Sequence, residues 1–289
     1  MSQIIELIKE LRERTGAGMM DCKRALEASD LDIPRALDWL REKGITKAAS
    51  KSARIAAEGI THVVSEGNKR LIIEVNCETD FVARGDAFIN LVDAIAKMLL
   101  KDGITSIEAA KESATPLITE ATMKIGEKID LRRFEVYEAT AGQVVGSYIH
   151  MNGKYSSLVL MTGVDQTFVN NMAMHITANN PRFVDMDSIP SADRLHEAKI
   201  QRELMAQDEK LKGKPEAALE KILEGKVSKT FRELTLSEQA YLMDEAGALV
   251  GSVLAKVGGR VLKFVRYAVG EGIEKRADNF AEEVMAQIK

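Results

Sequence analysis

A chain of 289 residues with 45% hydrophobic and 29% charged residues has the composition of a globular protein with a real core, in one large or two modest domains. Its net charge of -4 argues against a field that gathers nucleic acid or anionic membrane, and 5% aromatics is thin for base stacking. No apolar run approaches a membrane span, no basic-then-apolar leader opens the chain, and Cys22 and Cys77 have no pair spacing; the expectation is a cytoplasmic protein with reduced thiols.

In chain order, Ile4, Ile5, Leu7, Ile8 and Leu11 predict one face of a first helix, stopped by Thr15-Gly16-Ala17-Gly18. Met19, Cys22, Ala25 and Leu26 mark a second helix. A third starts at Asp32 with Pro34 in its first turn, carries Ile33, Ala36, Leu37 and Leu40, and is expected to end at Gly44. Lys47, Lys51 and Arg54 then punctuate an Ala/Ser-rich linker. From Gly59 the period shortens: Ile60–Val64 and Leu71–Val75 flank Glu66-Gly67-Asn68-Lys69 as a β-hairpin. Phe88, Leu91, Val92, Ile95, Met98 and Leu99 predict a helix, Ser106 and Thr115-Pro116 two further helix starts, and Leu131–Tyr137 a strand.

A second round begins near Val144. Val145–His150 and Leu158–Met161 flank Asn152-Gly153-Lys154, and Asp165 caps a helix carrying Phe168, Val169, Met172, Ala173 and Ile176. Hairpin, corner and helix thus occur twice, as expected of two related α+β subdomains. Residues 190–229 read as an antiparallel helical hairpin, with Ser191 as its first cap, Lys212-Gly213-Lys214-Pro215 as its turn, and outer apolar residues that want a partner. A short helix over 247–257, a strand over 260–269 and a final amphipathic helix with Phe280, Val284 and Ile288 complete the chain.

Catalytic chemistry is absent from this pattern. His62, His150, His175 and His196 fall in separate segments without metal spacing, and there is no Gly-x-Ser-x-Gly elbow or phosphate loop. No cofactor, metal site or catalytic residue is expected. The stretch that stands out is Glu74-Val75-Asn76-Cys77-Glu78-Thr79-Asp80-Phe81-Val82-Ala83-Arg84, a strand running into a helix. Two readings of Asp80 and Phe81 are open on residue chemistry: a turn acid beside a ring covering its own helix, or an apolar group offered to a partner. The second copy reads Val164-Asp165-Gln166-Thr167-Phe168 at its corner and lacks the adjacent Asp-Phe pair.

The run Leu11-Arg12-Glu13-Arg14-Thr15-Gly16-Ala17-Gly18-Met19-Met20 resembles the N-terminal motif of the bacterial and organellar translation elongation factor Ts family, and Glu74–Arg84 resembles its second motif with Thr-Asp-Phe-Val intact. The resemblance implies an α+β fold: a ubiquitin-associated-like three-helix bundle with a basic linker (1–55), core subdomain N (56–140), core subdomain C (141–181 and 230–269), both with antiparallel sheets, an inserted helical hairpin (182–229) and a C-terminal helix module (270–289). It implies a guanine nucleotide exchange factor, not an enzyme, whose partner is the GTPase elongation factor Tu in its GDP-bound and nucleotide-free forms. Nucleic acid and membrane are not expected as direct partners, and the hairpin is a candidate for forming a homodimer or a heterotetramer with Tu. On matching positions, Thr79, Asp80, Phe81 and Val82 would dislodge the GTPase's Mg²⁺. Arg12, Met19, Met20 and Lys23 would be contacts from the head, Ile125 a supporting contact, and His150 a contact from the second subdomain. The family's Gln-Pro-Phe-Val-Met run reads Gln239-Ala240-Tyr241-Leu242-Met243 here, so Leu242 and Met243 carry over across two replaced neighbours. Met19 and Met20 are consecutive and cannot share one helix face, so at least one is expected off the core. Two other classes stay open: a scaffold or chaperone for Tu without exchange activity, and an RNA-associated module using Lys47, Lys51 and Arg54.

Overall fold

The computed structural model of the chain describes residues 2–15, 17–51 and 54–274. The final helix expected around Phe280, Val284 and Ile288 lies outside the described residues. Helices α1 (Ser2–Thr15), α2 (Met19–Ala28) and α3 (Ile33–Lys51) form the N-terminal head around Leu11, Cys22, Ala25, Leu26, Ala36 and Leu40. Such short helices bury only a narrow stripe, and Ile5, expected on it, is exposed. Asp32 Oδ1 accepts from the Arg35 N–H at 2.8 Å, as a cap should. The expected stop at Gly44 is not one: α3 runs on to Lys51 and absorbs much of the linker. A lone glycine costs a helix only about 1 kcal/mol, which the Lys-Ala-Ala stretch after it and packing of α3 against a later helix can offset.

The first sheet pairs β1 (Glu58–Glu66), β2 (Lys69–Cys77) and β3 (Asp130–Glu138) antiparallel in the order β1-β2-β3. The central strand is buried from Leu71 to Cys77, and its alternation divides two environments. Leu71, Ile73, Val75 and Cys77 join Phe88, Val92, Ile95 and Leu99 under α5 (Asp86–Lys101), while Ile72 joins the core on the other face. Connecting α5 to β3 is α6 (Ile107–Ile125), capped by Ser106. The second helix start expected at Thr115-Pro116 does not occur. Pro116 sits inside the continuous α6, and Thr115 turns its hydroxyl back to the Lys111 carbonyl at 2.7 Å.

The second sheet has the same plan, β4 (Gln143–His150), β5 (Tyr155–Thr162) and β6 (Arg260–Ala268) in the order β4-β5-β6. It is covered by α7 (Gln166–Asn179), with Val159, Met161, Val169, Met172, Ile176 and Val261 in its core. Both sheets carry a bulge, opposite Glu74/Val75 in one and Leu160/Met161 in the other. Between β5 and β6 the chain inserts the hairpin helices α8 (Ser191–Gln207) and α9 (Glu216–Leu234), then α10 (Val250–Val257). Ser191 is the first residue of α8 and not its cap; Pro190 holds that position without a side-chain bond. Return helix α9 continues past 229 and buries Phe231 against Phe183, so the hairpin's base belongs to the core. Met205 and Leu223 close its seam, whereas Leu195 and Leu204 are exposed.

The two sheets pack face to face through Ile72, Tyr137, Val145, Leu158, Leu160 and Tyr267. At one end the β4–β5 loop docks on β1: the Gly153 carbonyl accepts from the Thr61 N–H (2.6 Å) and hydroxyl (2.8 Å). Gly153 is required there, with φ +87° and space so tight that a Cβ would come within 2.6 Å of the Thr61 carbonyl oxygen. Paired with Thr61 across the strands lies Glu74, with 0% exposure, bonded by Arg132 Nη1 (3.0 Å), Arg133 Nε (2.6 Å), Asn76 Nδ2 (3.2 Å) and the Gly270 N–H (2.8 Å). Consecutive strand residues ordinarily point to opposite faces; here Glu74 pairs with Arg133 and Val75 with Leu131, so Arg132 is the extra, bulged residue and both arginines reach one carboxylate. Replacing Glu74 by Ala takes the buried acceptor from two partly buried guanidinium groups, which keep only their contacts with Glu271 and Ala268, and urea denaturation is expected to show a loss of about 3 kcal/mol.

Candidate functional site

Where β2 gives way to α5, Thr79 caps a single turn of helix, α4 (Asp80–Ala83). Ala83 is buried and Val82 packs on the first core, which turns the other side of α4 to solvent. Phe81 stands there 85% exposed, the most exposed of the large hydrophobic side chains among the described residues. Its backbone is not loose. The Thr79 hydroxyl accepts from the Val82 N–H at 3.3 Å, and Glu127 binds the N–H groups of Glu78 and Thr79, both at 3.0 Å. Asp80 pairs with Arg84 at 2.8 Å, with both side chains more than half exposed; such a pair is weak and leaves the carboxylate accessible. Beneath the corner, burial pushes the Cys77 thiol up to about 12, with the Glu127 charge adding to it, so this cysteine is an inert packing group. A ring held out in water by a fixed backbone can do no bond chemistry, but it can enter another protein. Among the described residues no group of side chains is arranged to hold a metal ion, and no helix is long and apolar enough to cross a membrane.

A family model described as elongation factor TS matches residues 78–271, more than half of the chain. The chain belongs to the elongation factor Ts family. The match opens at Glu78, immediately before the capped corner, and the family implies nucleotide exchange on elongation factor Tu in translation elongation, with no covalent chemistry.

The other positions matched to the family fall in separate patches. Met19 and Met20, 58% and 61% exposed in the first turn of α2, both stand off the head's core, and Arg12 on α1 and Lys23 on α2 are exposed as well. Ile125 ends α6 half-buried against the first core, two residues before Glu127, and so lies behind the corner and not on its tip. His150, exposed at the end of β4, stacks on Tyr148 with ring centroids 5.9 Å apart. The adjoining Met151 is also exposed and holds a positive φ of 49°, a feature that no spacing in the sequence announces. Of the basic linker residues, Arg54 is bonded to Glu78 at 3.2 Å; the side chains of Lys47 and Lys51 lie outside the described residues.

Leu242 and Met243 are exposed as well, on a loop pinned from below. Tyr241, where the family's run has Phe, is buried between Phe168 and His175 and keeps an aromatic ring under the loop. The Leu242 N–H donates to His175 Nδ1 at 3.1 Å, so Nδ1 is an acceptor, and Nε2–H donates to Gln239 Oε1 at 3.1 Å. His175 is thus bound in its neutral form. Burial holds its pKa below the usual 6.5, opposed by the Gln239 bond. A lowered pKa means that the unfolded chain takes up the proton first. The stability is present in full above about pH 6.5 and is lost as pH falls towards the folded-state value. Urea midpoints measured from pH 7 to pH 5 are expected to fall in the wild-type chain and to fall less in His175→Gln.

Proposed function

We propose that this chain is the guanine nucleotide exchange factor of elongation factor Tu, and that the corner Thr79-Asp80-Phe81-Val82 is the wedge that releases GDP. The observation that carries the reading is Phe81, an aromatic ring left in water on a backbone braced by two side chains. Burying a Phe is worth about 1.5–3 kcal/mol, which this fold forgoes and a complex can recover. Mg²⁺ demands near-octahedral geometry at short distances, so a small displacement of its ligands weakens its hold on the nucleotide phosphates. Phe81 enters an apolar gap near the ion, and Asp80 biases the same element by charge or by accepting from backbone N–H groups. Reciprocity follows from linkage: the factor weakens the nucleotide's binding by the same ratio as the nucleotide weakens the factor's, and incoming GTP releases the factor.

The remaining parts fit anchoring. Arg12, Met19, Met20 and Lys23 on the ubiquitin-associated-like head (1–55), together with the C-terminal module (270–289), grip the nucleotide domain, flexible methionines suiting a partner surface. Ile125 supports the wedge from subdomain N (56–140). His150, Leu242 and Met243 reach the GTPase's third domain from subdomain C (141–181 and 230–269). The shared strand order and the matching bulges support reading the two subdomains as related copies. Exchange of this kind operates in the cytoplasm, on GDP-bound and nucleotide-free Tu. The inserted hairpin (182–229) joins a second copy of the chain, as a homodimer or within a heterotetramer with Tu, through Leu195 and Leu204.

Stopped-flow release of fluorescent GDP from purified Tu tests the wedge. Phe81→Ala is expected to slow release by about ten- to a hundredfold, the range a buried Phe can supply, and Asp80→Ala by less. Rates equal to wild type in both variants would sink it; a chain that binds Tu without speeding release would be a scaffold instead. Replacing residues 195–227 by a short Gly-Ser turn is expected to abolish self-association in analytical ultracentrifugation while GDP release persists. Unchanged sedimentation together with lost exchange would reverse that assignment.

A further inference from the structure

We propose that Glu127 is a positioning residue for the wedge: from beyond the end of α6 its carboxylate holds the Thr79–Val82 turn, and so presents Phe81 to the GTPase. The inference rests on the exchange reading above and deepens it. A helical segment as short as α4, four residues, cannot maintain itself, because fixing the first turn costs more than its hydrogen bonds return. Its persistence needs a brace from elsewhere in the chain. Gly126, at φ +85°, ends α6 in the left-handed region and swings Glu127 back towards β2. Glu127 Oε2 accepts from the N–H groups of Glu78 and Thr79, each at 3.0 Å, and Oε1 accepts from the Thr79 hydroxyl at 2.6 Å.

That hydroxyl in turn accepts from the Val82 N–H, so a relay runs from the carboxylate through Thr79 to the residue that follows Phe81. The contact is answered in the opposite direction: Glu78 Oε1 accepts from the Lys128 N–H at 2.6 Å, and the Glu78 carboxylate also binds Arg54. Two carboxylates, each taking backbone N–H groups of the other's segment, clamp the corner to the end of α6. The first core closes without Glu127, around Ile73, Phe88, Ile95 and Leu131, so removing this carboxylate frees the corner and leaves the sheet in place.

The test compares wild type, Phe81→Ala, Glu127→Ala, the double variant and Thr79→Val in fluorescent-GDP release from Tu across a range of factor concentrations. Losing a cap of this kind is worth about tenfold. Glu127→Ala is expected to lower the plateau release rate about that much, to leave the half-saturating concentration within about twofold, and to add nothing in the Phe81→Ala background. Thr79→Val, which removes the hydroxyl that links Glu127 to the Val82 N–H, is expected to lower the plateau rate as well. In chains carrying 4-fluorophenylalanine at all eight Phe positions, the Phe81 resonance, identified by its loss in Phe81→Leu, is expected to move towards the random-coil position in Glu127→Ala while the other lines stay. A wild-type plateau rate in Glu127→Ala beside a slowed Phe81→Ala would overturn this proposal alone. Additive losses, or a shift of every fluorine line, would make Glu127 merely structural and also overturn it. A wild-type chain that fails to speed GDP release would remove the exchange reading and this proposal together.

Discussion

The carboxylate of Glu74, sealed from solvent where the two sheets meet, constrains more of the architecture than any single apolar contact. It gathers Arg132 and Arg133 from β3, Asn76 from its own strand and the Gly270 N–H from beyond the end of β6. A buried charge is tolerated only when its bonding is complete, so a relative shift of the sheets that broke one of these bonds would be costly. The apolar interface of Ile72, Val145, Leu158 and Leu160 supplies attraction but little direction. Directional bonds from the Gly270 N–H to Glu74, and from Thr61, the residue paired with Glu74 on β1, to Gly153, select one packing among those that would bury a similar area. Arg133 adds its face-on contact with Tyr267, 4.1 Å from the ring centroid, on the same line of contact.

That packing matters because the groups that face outward sit on different sheets. Phe81 follows β2, His150 ends β4, and the Leu242–Met243 loop is pinned beneath by His175. In the proposed role, a protein that loosens another protein's nucleotide without bond chemistry works chiefly by shape, with the Asp80 charge in support. Its contact groups have to keep fixed separations while the partner yields. The same economy appears at two of these patches: an exposed apolar tip on a backbone whose N–H groups are taken by side chains. At the corner the acceptors are Thr79 and Glu127; in the second half of the chain the acceptor is a neutral imidazole. Rigid presentation reduces the entropy lost on binding, which flexible loops would pay in full.

Much of the local structure was legible from residue order. Ser106, Asp32 and Asp165 announce helix starts through short side chains that reach N–H groups three residues on, and each does so in the structure. Alternation and turn residues located both hairpins. Two misreadings share one cause, since each took a local breaker at face value. Gly44 and Pro116 lie inside continuous helices, because packing of α3 against α6 and of α6 on the first core outweighs about 1 to 3 kcal/mol of propensity. Ser191 had the chemistry of a cap and a place one residue too late. At the candidate site residue chemistry alone left both accounts of Phe81 open; the family resemblance favoured the partner-facing one, and the exposure of the ring agrees with it. Glu127 carried no signal, being 48 residues from the Thr79 hydroxyl it binds.

By itself the sequence determined the α+β plan, the repeated hairpin-and-helix pattern and the Thr-Asp-Phe-Val corner, because caps, turns and apolar periods act over a few residues. Only the tertiary structure decided that Phe81 faces water, that Met19 and Met20 both leave the head's core, and that a bulge delivers two arginines to Glu74. Those outcomes depend on groups brought together from distant parts of the chain. Whether an apolar ring is core or contact is a property of what the rest of the fold leaves uncovered.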